Sequence, residues 1–387
     1  MHAKYITGSR AQLKIIQILN THHWSAAANY CITISSELMR RGHEILLLTE
    51  PGKALEKAKQ AGLRYDDSIR LNHRNPLLFV DAIKSMKRIF RTFKPDIISP
   101  HMNEAAWLPG MIARKTFPQA VIARIRTEYD PPKKHFINHY VHHAWIDHLV
   151  VGSQLHKRLC QDILDYQPDK ISVVYGGVDS SLYNPGLRQN SDFRNEIGAA
   201  ANEVLIGLLA RLDPVKGHEY ALEALSRISS LPAPFKLVII GYEAERTYAW
   251  LKQQAAAMGI QDRVYCAGFR NDLPNVLGAL DIGLISSVGS EANSRAALEF
   301  MACGKPVIAT SVGVIPEIIQ NNEQGLIVSP ADSEQLGKAM EKLIANPVLR
   351  LNMGKAARQK VLDNFSLEKF GSVMESVYAK LLRPSQN

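Results

Sequence analysis

The sequence predicts an α/β protein built from two domains with parallel sheets. Short apolar segments alternate with amphipathic helical segments along nearly the whole chain, which is the pattern of strand–helix–strand units. The chain has 387 residues, and at roughly 100–200 residues per domain this length indicates two domains. Hydrophobic residues make up 46% and charged residues 21% of the chain, so large cores can form without covalent staples.

The first half of the chain contains one alternating series. Its strands are apolar runs such as LKIIQIL and EILLLT, and its helices carry apolar residues at helical spacing, the first being ended by Gly42. The predicted elements are strand 13–19, helix 26–41, strand 44–49, helix 76–93, strand 97–101, helix 104–117, strand 120–126, strand 147–152 and strand 170–175.

A second series follows a stretch at 176–201 that is rich in Gly, Pro, Asn and Ser and is predicted to be a linker. The predicted elements are strand 204–209, helix 217–229, strand 235–241, helix 244–259, strand 264–267, helix 275–280, strand 282–286, helix 295–303, strands 306–310 and 325–328, and helices 332–345, 348–362 and 367–382. We therefore expect two Rossmann-like domains, 1–178 and 202–366, facing each other across a cleft. The final helix, 367–382, is a candidate to pack back on the first domain.

The charge of the chain is uneven. Residues 1–178 contain 25 Lys and Arg and 15 Asp and Glu, a net charge of +10, whereas the remaining residues have a net charge of −1. This asymmetry fits an anionic partner such as nucleic acid, an acidic membrane surface or a phosphorylated glycolipid, although plain solubility also accounts for it. No nucleic-acid-binding signature accompanies the basic residues, so we expect no nucleic acid partner.

The cysteines and the apolar runs indicate a cytoplasmic protein. Cys31, Cys160, Cys266 and Cys303 are far apart and lack zinc-site spacing, so we expect reduced, mostly buried thiols. The apolar runs fall far short of the ~20 residues that span a bilayer, and the N-terminus lacks the apolar core of a signal peptide. We expect a soluble protein, with peripheral contact to the inner face of an anionic membrane left open.

The segment SSVGSEANSRAALEFMACGKPVIATSVGVIPE, at 286–317, contains the strongest pattern of chemistry-bearing residues. Glu291 lies in the loop after a strand, and Glu299 lies eight residues later, about one turn into the next helix. A carboxylate suits paired hydroxyls because it only accepts hydrogen bonds and is charged. Glu291 is therefore predicted to contact a sugar and Glu299 a ribose.

The start of that helix is predicted to bind a diphosphate. Asn293, Ser294 and Arg295 lie where the free backbone N–H groups and the helix dipole favour an anion.

The segment GLLARLDPVKG, at 207–217, supplies two cations. Arg211 and Lys216 follow a strand and flank a loop at its carboxyl end. Arginine can hold phosphate oxygens with two parallel bonds, and lysine adds a point charge. Gly241, at the end of the next strand, is predicted to let a ligand approach the backbone, and Arg270 in GFRNDL to contact a base or its ribose.

These segments resemble the EX7E and G-R-L-x-x-x-K-G motifs of glycosyltransferase family 4. Members of this family have the GT-B fold and retain the anomeric configuration of the sugar. The run LEFMACGKPV, which contains Glu299, also matches the family, and Ala210 stands where glycine is usual. The resemblance implies that Arg211 and Lys216 hold the donor diphosphate and stabilise the leaving nucleotide. It also implies that no metal or other cofactor is needed besides the nucleotide sugar.

The acceptor side resembles the family less closely. Ser25 stands at the start of the first helix, where relatives carry a Gly-Gly pair, and is predicted to cap that helix. Relatives also carry a histidine after the fourth strand of the first domain. Arg126 occupies that region here, and His101 or His22 are alternatives.

A run of histidines follows this region. His135, His139 and His142 have helical spacing, which fits either a metal site or a basic amphipathic helix with Lys133 and Lys134. No carboxylate completes a zinc motif, so the helix is favoured.

The resemblance implies a hexosyltransferase-like enzyme that moves a sugar from a nucleoside diphosphate to a hydroxyl acceptor, with anomeric configuration retained. A lipopolysaccharide-type glycolipid or another cell-envelope glycan is the expected acceptor. The alternatives are a GT-B sugar-nucleotide epimerase and a non-catalytic protein that binds nucleotide or glycan.

Overall fold

The computed structural model describes residues 12–21, 23–69, 76–101, 103–190 and 192–382, and divides the chain into two compact units. The first unit runs to Val151 and includes Lys157–Val174 and the segment from Gly371 onward. The second unit comprises Gly152–His156 and Tyr175–Phe370. The α/β class predicted from the sequence is confirmed, since each unit is built on its own parallel sheet.

The sheet of the first unit has seven strands over the described residues, in the order β3-β2-β1-β4-β5-β6-β7, and all its pairs are parallel. Its central strands are almost fully buried, as expected when helices flank a parallel sheet. The elements up to this sheet's last strand are β1 (Lys14–Leu19), α1 (Ala26–Arg40), β2 (Glu44–Thr49), α2 (Lys53–Gln60), β3 (Tyr65–Asp66), α3 (Pro76–Phe93), β4 (Ile97–Pro100), α4 (Asn103–Thr116), β5 (Val121–Arg126), α5 (Phe136–Trp145), β6 (His148–Val151), α6 (Gln154–Leu164) and β7 (Ile171–Val173).

The sheet of the second unit has six strands within the described ranges, in the order β10-β9-β8-β11-β12-β13. The remaining elements are α7 (Phe193–Glu196), β8 (Val204–Leu209), α8 (His218–Arg227), β9 (Phe235–Ile240), α9 (Tyr248–Ala257), β10 (Val264–Gly268), α10 (Leu273–Ala279), β11 (Ile282–Ile285), α11 (Arg295–Ala302), β12 (Val307–Thr310), α12 (Ile315–Ile318), β13 (Gly325–Val328), α13 (Ser333–Ala345), α14 (Pro347–Asn364) and α15 (Leu367–Leu381). The strand order reverses at β8, whose neighbours are β9 and β11. Open parallel sheets bind ligands at such a reversal, beyond the carboxyl ends of the strands.

Three local predictions are confirmed. Ser25 caps α1, because its hydroxyl accepts a hydrogen bond from the backbone N–H of Ala28 at 3.2 Å. The four cysteines are free thiols, and three of them are buried. The histidine run forms the helix α5.

Other elements differ from the prediction for physical reasons. The predicted linker at 176–201 instead packs on the second unit, where Val178, Tyr183, Phe193 and Ile197 join the core. The stretch contains four glycines and one proline, and its buried apolar residues have no regular spacing, so the pattern did not reveal them. The sequence also missed α2, β3 and α6. β3 has only two residues, and α2, KALEKAKQ, and α6, QLHKRLCQDIL, consist largely of polar residues.

The C-terminal helix packs on α1 and β4 of the first unit. A Cβ built on Gly371 would overlap the Glu37 side chain, so glycine lets the two helices approach closely. The Tyr378 hydroxyl lies 2.8 Å from that of Ser99. Glu375 lies 2.7 Å from the Arg41 guanidinium and 3.3 Å from His43 Nε2, and these groups are largely buried.

The longest helices of the described residues carry several charges. The two 18-residue helices, α3 and α14, each contain several Lys, Arg or Asp residues. Among the described residues, no helix combines the length and the apolar character that crossing a bilayer requires.

Replacing Glu375 by alanine should lower the free energy of unfolding by about 3 kcal/mol, because Arg41 would lose its close partner in a buried setting. Chemical denaturation followed by circular dichroism measures this change. Lys338→Ala is the matched control, since its pair with Glu334 on α13 is exposed and should leave the unfolding midpoint unchanged. Equal midpoints for the two variants would contradict a structural role for Glu375.

Candidate functional site

Two loops meet at the carboxyl ends of β8 and β11, where the strand order reverses. The backbone N–H of Val288 donates to the carbonyl of Val215 at 2.9 Å, and the Ser286 hydroxyl donates to the carbonyl of Lys216, also at 2.9 Å. Gly217 lies between these contacts at φ 64°, and a Cβ there would overlap the Ser286 carbonyl oxygen. Glycine is therefore required for the loops to touch, which explains the Lys-Gly pair of the sequence motif.

The two loops are joined by a charge pair. Lys216 Nζ lies 2.7 Å from Glu291 Oε1 and also donates to the Ser290 carbonyl at 3.1 Å. The Ser287 hydroxyl donates to the same carboxylate oxygen at 2.6 Å. The side chains of Lys216 and Glu291 are 18% and 8% exposed, so the pair is partly shielded from water. Two of the three ammonium donors are used in these contacts, and the third is left for another acceptor.

The start of α11 contains polar atoms that the protein itself does not satisfy. Ser294 holds a left-handed conformation at φ 39° and makes no capping bond. Within the described residues, its buried hydroxyl has no hydrogen-bond partner, and neither does either end of the Asn293 amide. Leaving such a group unpaired costs about 1–3 kcal/mol, so a bound polar ligand is the simplest reason to retain it.

Glu299 lies in a second cluster, on α11. The guanidinium of Arg295 donates to Glu299 at 2.6 Å, and the Tyr183 hydroxyl is also hydrogen-bonded to it. Burial raises the pKa of Glu299, while Arg295 and Tyr183 act in the opposite direction. The carboxylate is thus held in place from two sides.

Arg211 lies in the same loop as Lys216 but faces solvent. Its side chain is 47% exposed and pairs with Asp213 at 2.8 Å. The other oxygen of Asp213 accepts from the N–H of Val215, which shapes the turn before Lys216. Gly241 packs against this loop, since a Cβ there would overlap the Ala210 carbonyl. Packing against the Ala210 carbonyl is therefore enough to explain why glycine stands at position 241, apart from the ligand approach predicted from the sequence.

Arg270 uses most of its donors within the protein. Its guanidinium donates to both oxygens of Glu196, at 2.7 and 3.0 Å, and to both oxygens of Asp272, at 2.8 and 2.9 Å. These carboxylates raise the pKa of Arg270. Of the five N–H groups of the guanidinium, these bonds leave one, on Nη1, for a contact with a base or ribose.

The described residues that were predicted for the acceptor side lie in the first unit. His101 is buried, its Nε2 lies 2.7 Å from Gln17 Oε1, and burial lowers its pKa to about 3, so the imidazole is neutral at pH 7. Arg126 is buried as well and donates to the carbonyls of Glu128 and Asp130. Ser25 serves as the helix cap described above, and His22 lies outside the described residues.

The histidines of α5 are engaged individually. His135 Nδ1 accepts from the N–H of Asn138, and His142 contacts both Arg124 and the Asn138 carbonyl. In the part of the chain that the structure describes, no group of three or more His, Cys, Asp or Glu side chains is arranged to hold a metal ion.

Two residues with clear roles in this region escaped the sequence reasoning. Ser287 orients Glu291, and its place four residues before the glutamate was the available signal. Glu317 accepts from the backbone N–H groups of Gln154 and Leu155 at 2.7 and 2.8 Å, and from the Tyr175 hydroxyl at 2.8 Å. Glu317 is the last residue of the segment 286–317 quoted above, but a partner 162 positions away in the chain carries no local signal.

Comparison with known proteins identifies the family. The family described as "Glycosyl transferases group 1" matches residues 189–360, and "Glycosyltransferase Family 4" matches residues 27–182. The N-acetyl-alpha-D-glucosaminyl L-malate synthase of Bacillus anthracis is 29% identical over 222 residues, which is 57% of this chain and 57% of that protein's length. The UDP-Gal:alpha-D-GlcNAc-diphosphoundecaprenol alpha-1,3-galactosyltransferase of Escherichia coli is 24% identical over 82% of this chain and 85% of its own length.

The fold is also shared with a solved structure. Anabaena HepE, crystallised in complex with UDP, superposes with a TM-score of 0.83 at 19% identity and covers 95% of this chain and 100% of its own. Together the two family matches extend over most of the sequence and over both sheets. The chain therefore belongs to the family 4 glycosyltransferases and has their GT-B fold.

Proposed function

We propose that the second unit binds a nucleoside diphosphate sugar and that the protein transfers the sugar to a hydroxyl acceptor with retention of anomeric configuration. One observation carries this proposal. The pair formed by Lys216 and Glu291 lies in the loops after β8 and β11, and the unsatisfied polar atoms of Asn293 and Ser294 follow Glu291 by two and three residues. The UDP complex of the similarly folded Anabaena protein supports a nucleotide as the ligand.

The diphosphate is assigned to the start of α11 and to Lys216. The backbone N–H groups there and the positive end of the helix dipole attract an anion. The Ser294 hydroxyl supplies a further donor. The third N–H of the Lys216 ammonium group is also available to donate to a phosphate oxygen. Arg211 can exchange its exposed pair with Asp213 for a phosphate at little cost, because such surface pairs contribute little.

Glu291 and Glu299 are assigned to the hydroxyls of the sugar and of the ribose. Both bonds that hold Glu291 fall on Oε1, so Oε2 remains to accept from a sugar hydroxyl. Glu299 keeps its orientation through Arg295, and an orienting bond of this kind reduces the freedom lost on binding.

We assign charge stabilisation of the leaving nucleotide to Lys216 and Arg211 rather than to a divalent metal. Donors that are in place before reaction act strongly in a shielded site, because they need no reorganisation. The ammonium is already fixed by two oxygens, so it meets the developing phosphate charge from a defined position.

The acceptor is proposed to be a glycolipid or another cell-envelope glycan. The Escherichia coli relative is named for an acceptor with a diphospholipid carrier. The net charge of +10 over residues 1–178 favours a phosphorylated or lipid-bound acceptor over a neutral one.

Lys216→Ala should lower kcat by about 10²–10³-fold, because one fixed donor of this kind contributes about 3–4 kcal/mol to the transition state. Release of nucleotide at saturating donor measures the effect. Lys338→Ala, on the exposed face of α13, is the matched control and should keep full turnover. Thermal unfolding checks that the fold is kept, and turnover of the folded Lys216→Ala protein near the wild-type value would refute the assignment.

Ser294→Ala should weaken the binding of nucleoside diphosphate by about tenfold while leaving the ligand-free protein at least as stable as before, because it removes a buried hydroxyl that has no partner among the described residues. The hydroxyl has no partner to lose in the free protein, whereas a hydrogen bond to a charged group is worth about 1.5–3 kcal/mol. Calorimetry with UDP, GDP and ADP in turn gives the affinity, and thermal unfolding gives the stability.

Asn346→Ala serves as the mirror control for Ser294→Ala. Asn346 caps α14 by accepting from the N–H of Leu349 at 2.9 Å, so its loss should lower stability and leave nucleotide affinity unchanged. A fall in stability without any loss of affinity in Ser294→Ala would place the hydroxyl in the fold and not in the site.

A screen of UDP-, GDP- and ADP-sugars without acceptor separates the alternative functions. A transferase should bind one donor and hydrolyse it slowly. Release of an epimerised sugar would favour the epimerase, and tight binding with no turnover under any condition would favour a non-catalytic protein.

A further inference from the structure

Helix α5 of the first unit presents an apolar face to solvent. The side chains of Phe136, Ile137 and Tyr140 are 82%, 56% and 58% exposed. Phe136 and Tyr140 are four residues apart, so they lie on the same face of the helix, with Ile137 next to them. Large apolar side chains exposed side by side on one element mark an interaction surface more often than chance.

This exposure does not come from loose packing. The opposite face of α5 is anchored by Val141 and His142, both buried, and His142 contacts Arg124 on β5. His143 Nε2 also lies 2.8 Å from the Leu164 carbonyl. The helix is thus fixed in an orientation that keeps Phe136 and Tyr140 in solvent.

Two lysines border the apolar face. Lys133 and Lys134 are exposed and directly precede the helix. The side-chain amide of Asn138 donates to the Lys133 carbonyl at 2.8 Å, which holds this turn against the first turn of α5. The first turn contains no acidic residue.

This placement of charge opposes the helix dipole. Cations near the N-terminus of a helix are unfavourable, and an acidic residue there would stabilise α5. A negatively charged partner would offset this repulsion, because it is attracted both by the two lysines and by the positive end of the helix dipole. Apolar and aromatic side chains beside lysines are the composition of helices that lie in the interface of an anionic bilayer.

We propose that the face formed by Phe136, Ile137 and Tyr140, with Lys133 and Lys134, docks the protein on an anionic lipid bilayer. The apolar side chains enter the boundary between head groups and acyl chains, and the ammonium groups contact lipid phosphates. The +10 charge over residues 1–178 adds a longer-ranged attraction to the same surface. The docking surface rests on these contacts alone and goes beyond the sugar transfer proposed above.

Vesicle co-sedimentation of the full chain tests the proposal. Phosphatidylcholine vesicles with about one-third phosphatidylglycerol should bind the protein, and pure phosphatidylcholine should bind it far less. Lys133→Gln should weaken binding to the anionic vesicles about fivefold at low salt, as should Lys134→Gln. Phe136→Ser combined with Tyr140→Ser should weaken it by at least about tenfold, with the salt dependence kept.

Val348→Ser combined with Leu351→Ser is the matched control. These side chains of α14 are 66% and 58% exposed, so the pair resembles the α5 pair in exposure but lies in the second unit. The control should bind vesicles like the wild type. An equal loss of binding in the control, or no preference for anionic vesicles in the wild type, would overturn the proposal.

Two further measurements distinguish membrane docking from self-association and from donor binding. If sedimentation velocity shows a dimer that the Phe136 and Tyr140 variant loses, a second copy of the chain covers the face and the proposal is wrong. UDP affinity should be the same in the variant and the wild type. Loss of vesicle binding with normal UDP binding in the variant would thus assign the substituted side chains to docking alone. Vesicle binding by a wild-type protein that binds no nucleotide would contradict the transferase proposal and leave the docking proposal intact.

Discussion

The contact between the Lys216 loop and the Glu291 loop is the constraint on which the proposed site depends. It lies at the carboxyl ends of β8 and β11, at the strand-order reversal where open parallel sheets bind ligands. Gly217 allows the two backbones to touch, and the charge pair then joins their ends at 2.7 Å. A side chain at 217 would push the loops apart and separate the ammonium from the start of α11.

The charge pair and the residues that follow it differ in whether the ligand-free protein satisfies their polar groups. The mutual attraction of the pair offsets part of the cost of taking two charges out of water, whereas removal of either partner would leave the other charge uncompensated. Ser294 and Asn293 instead lower the stability of the ligand-free protein, because their polar side-chain atoms have no hydrogen-bond partner within the described ranges. Ser294 also holds a strained, left-handed backbone conformation. Such local cost is typical of sites that are completed by a ligand, whose donors and acceptors are aimed before it arrives.

Much of this architecture could be predicted from the sequence. Alternating apolar strands and helices indicated both parallel sheets, and the spacing of Lys216, Glu291 and Glu299 pointed to one sheet edge. Contacts between residues far apart in the chain could not be predicted. The bonds of Arg270 to Glu196, and of Glu317 to Leu155, join positions 74 and 162 apart, so neither segment shows them by itself. The packing reason for Gly241 was equally hidden, because the overlapping carbonyl belongs to Ala210 on another loop.

The two units use their polar residues differently, and this difference bears on specificity. In the second unit, Lys216, Glu291 and Ser294 each keep a donor or acceptor unused by the protein. In the first unit, the Nε of Arg126 and the Nδ1 of His101 also lack a partner among the described residues, although Arg126 donates to two backbone carbonyls and His101 is neutral and held by Gln17. What distinguishes the second unit is that its unsatisfied atoms follow a charge pair at a sheet edge, which suits a ligand read by charge and hydrogen bonds, such as a diphosphate. The first unit presents an exposed apolar face with two lysines directly before it, a surface suited to recognising a lipid phase rather than the stereochemistry of one sugar.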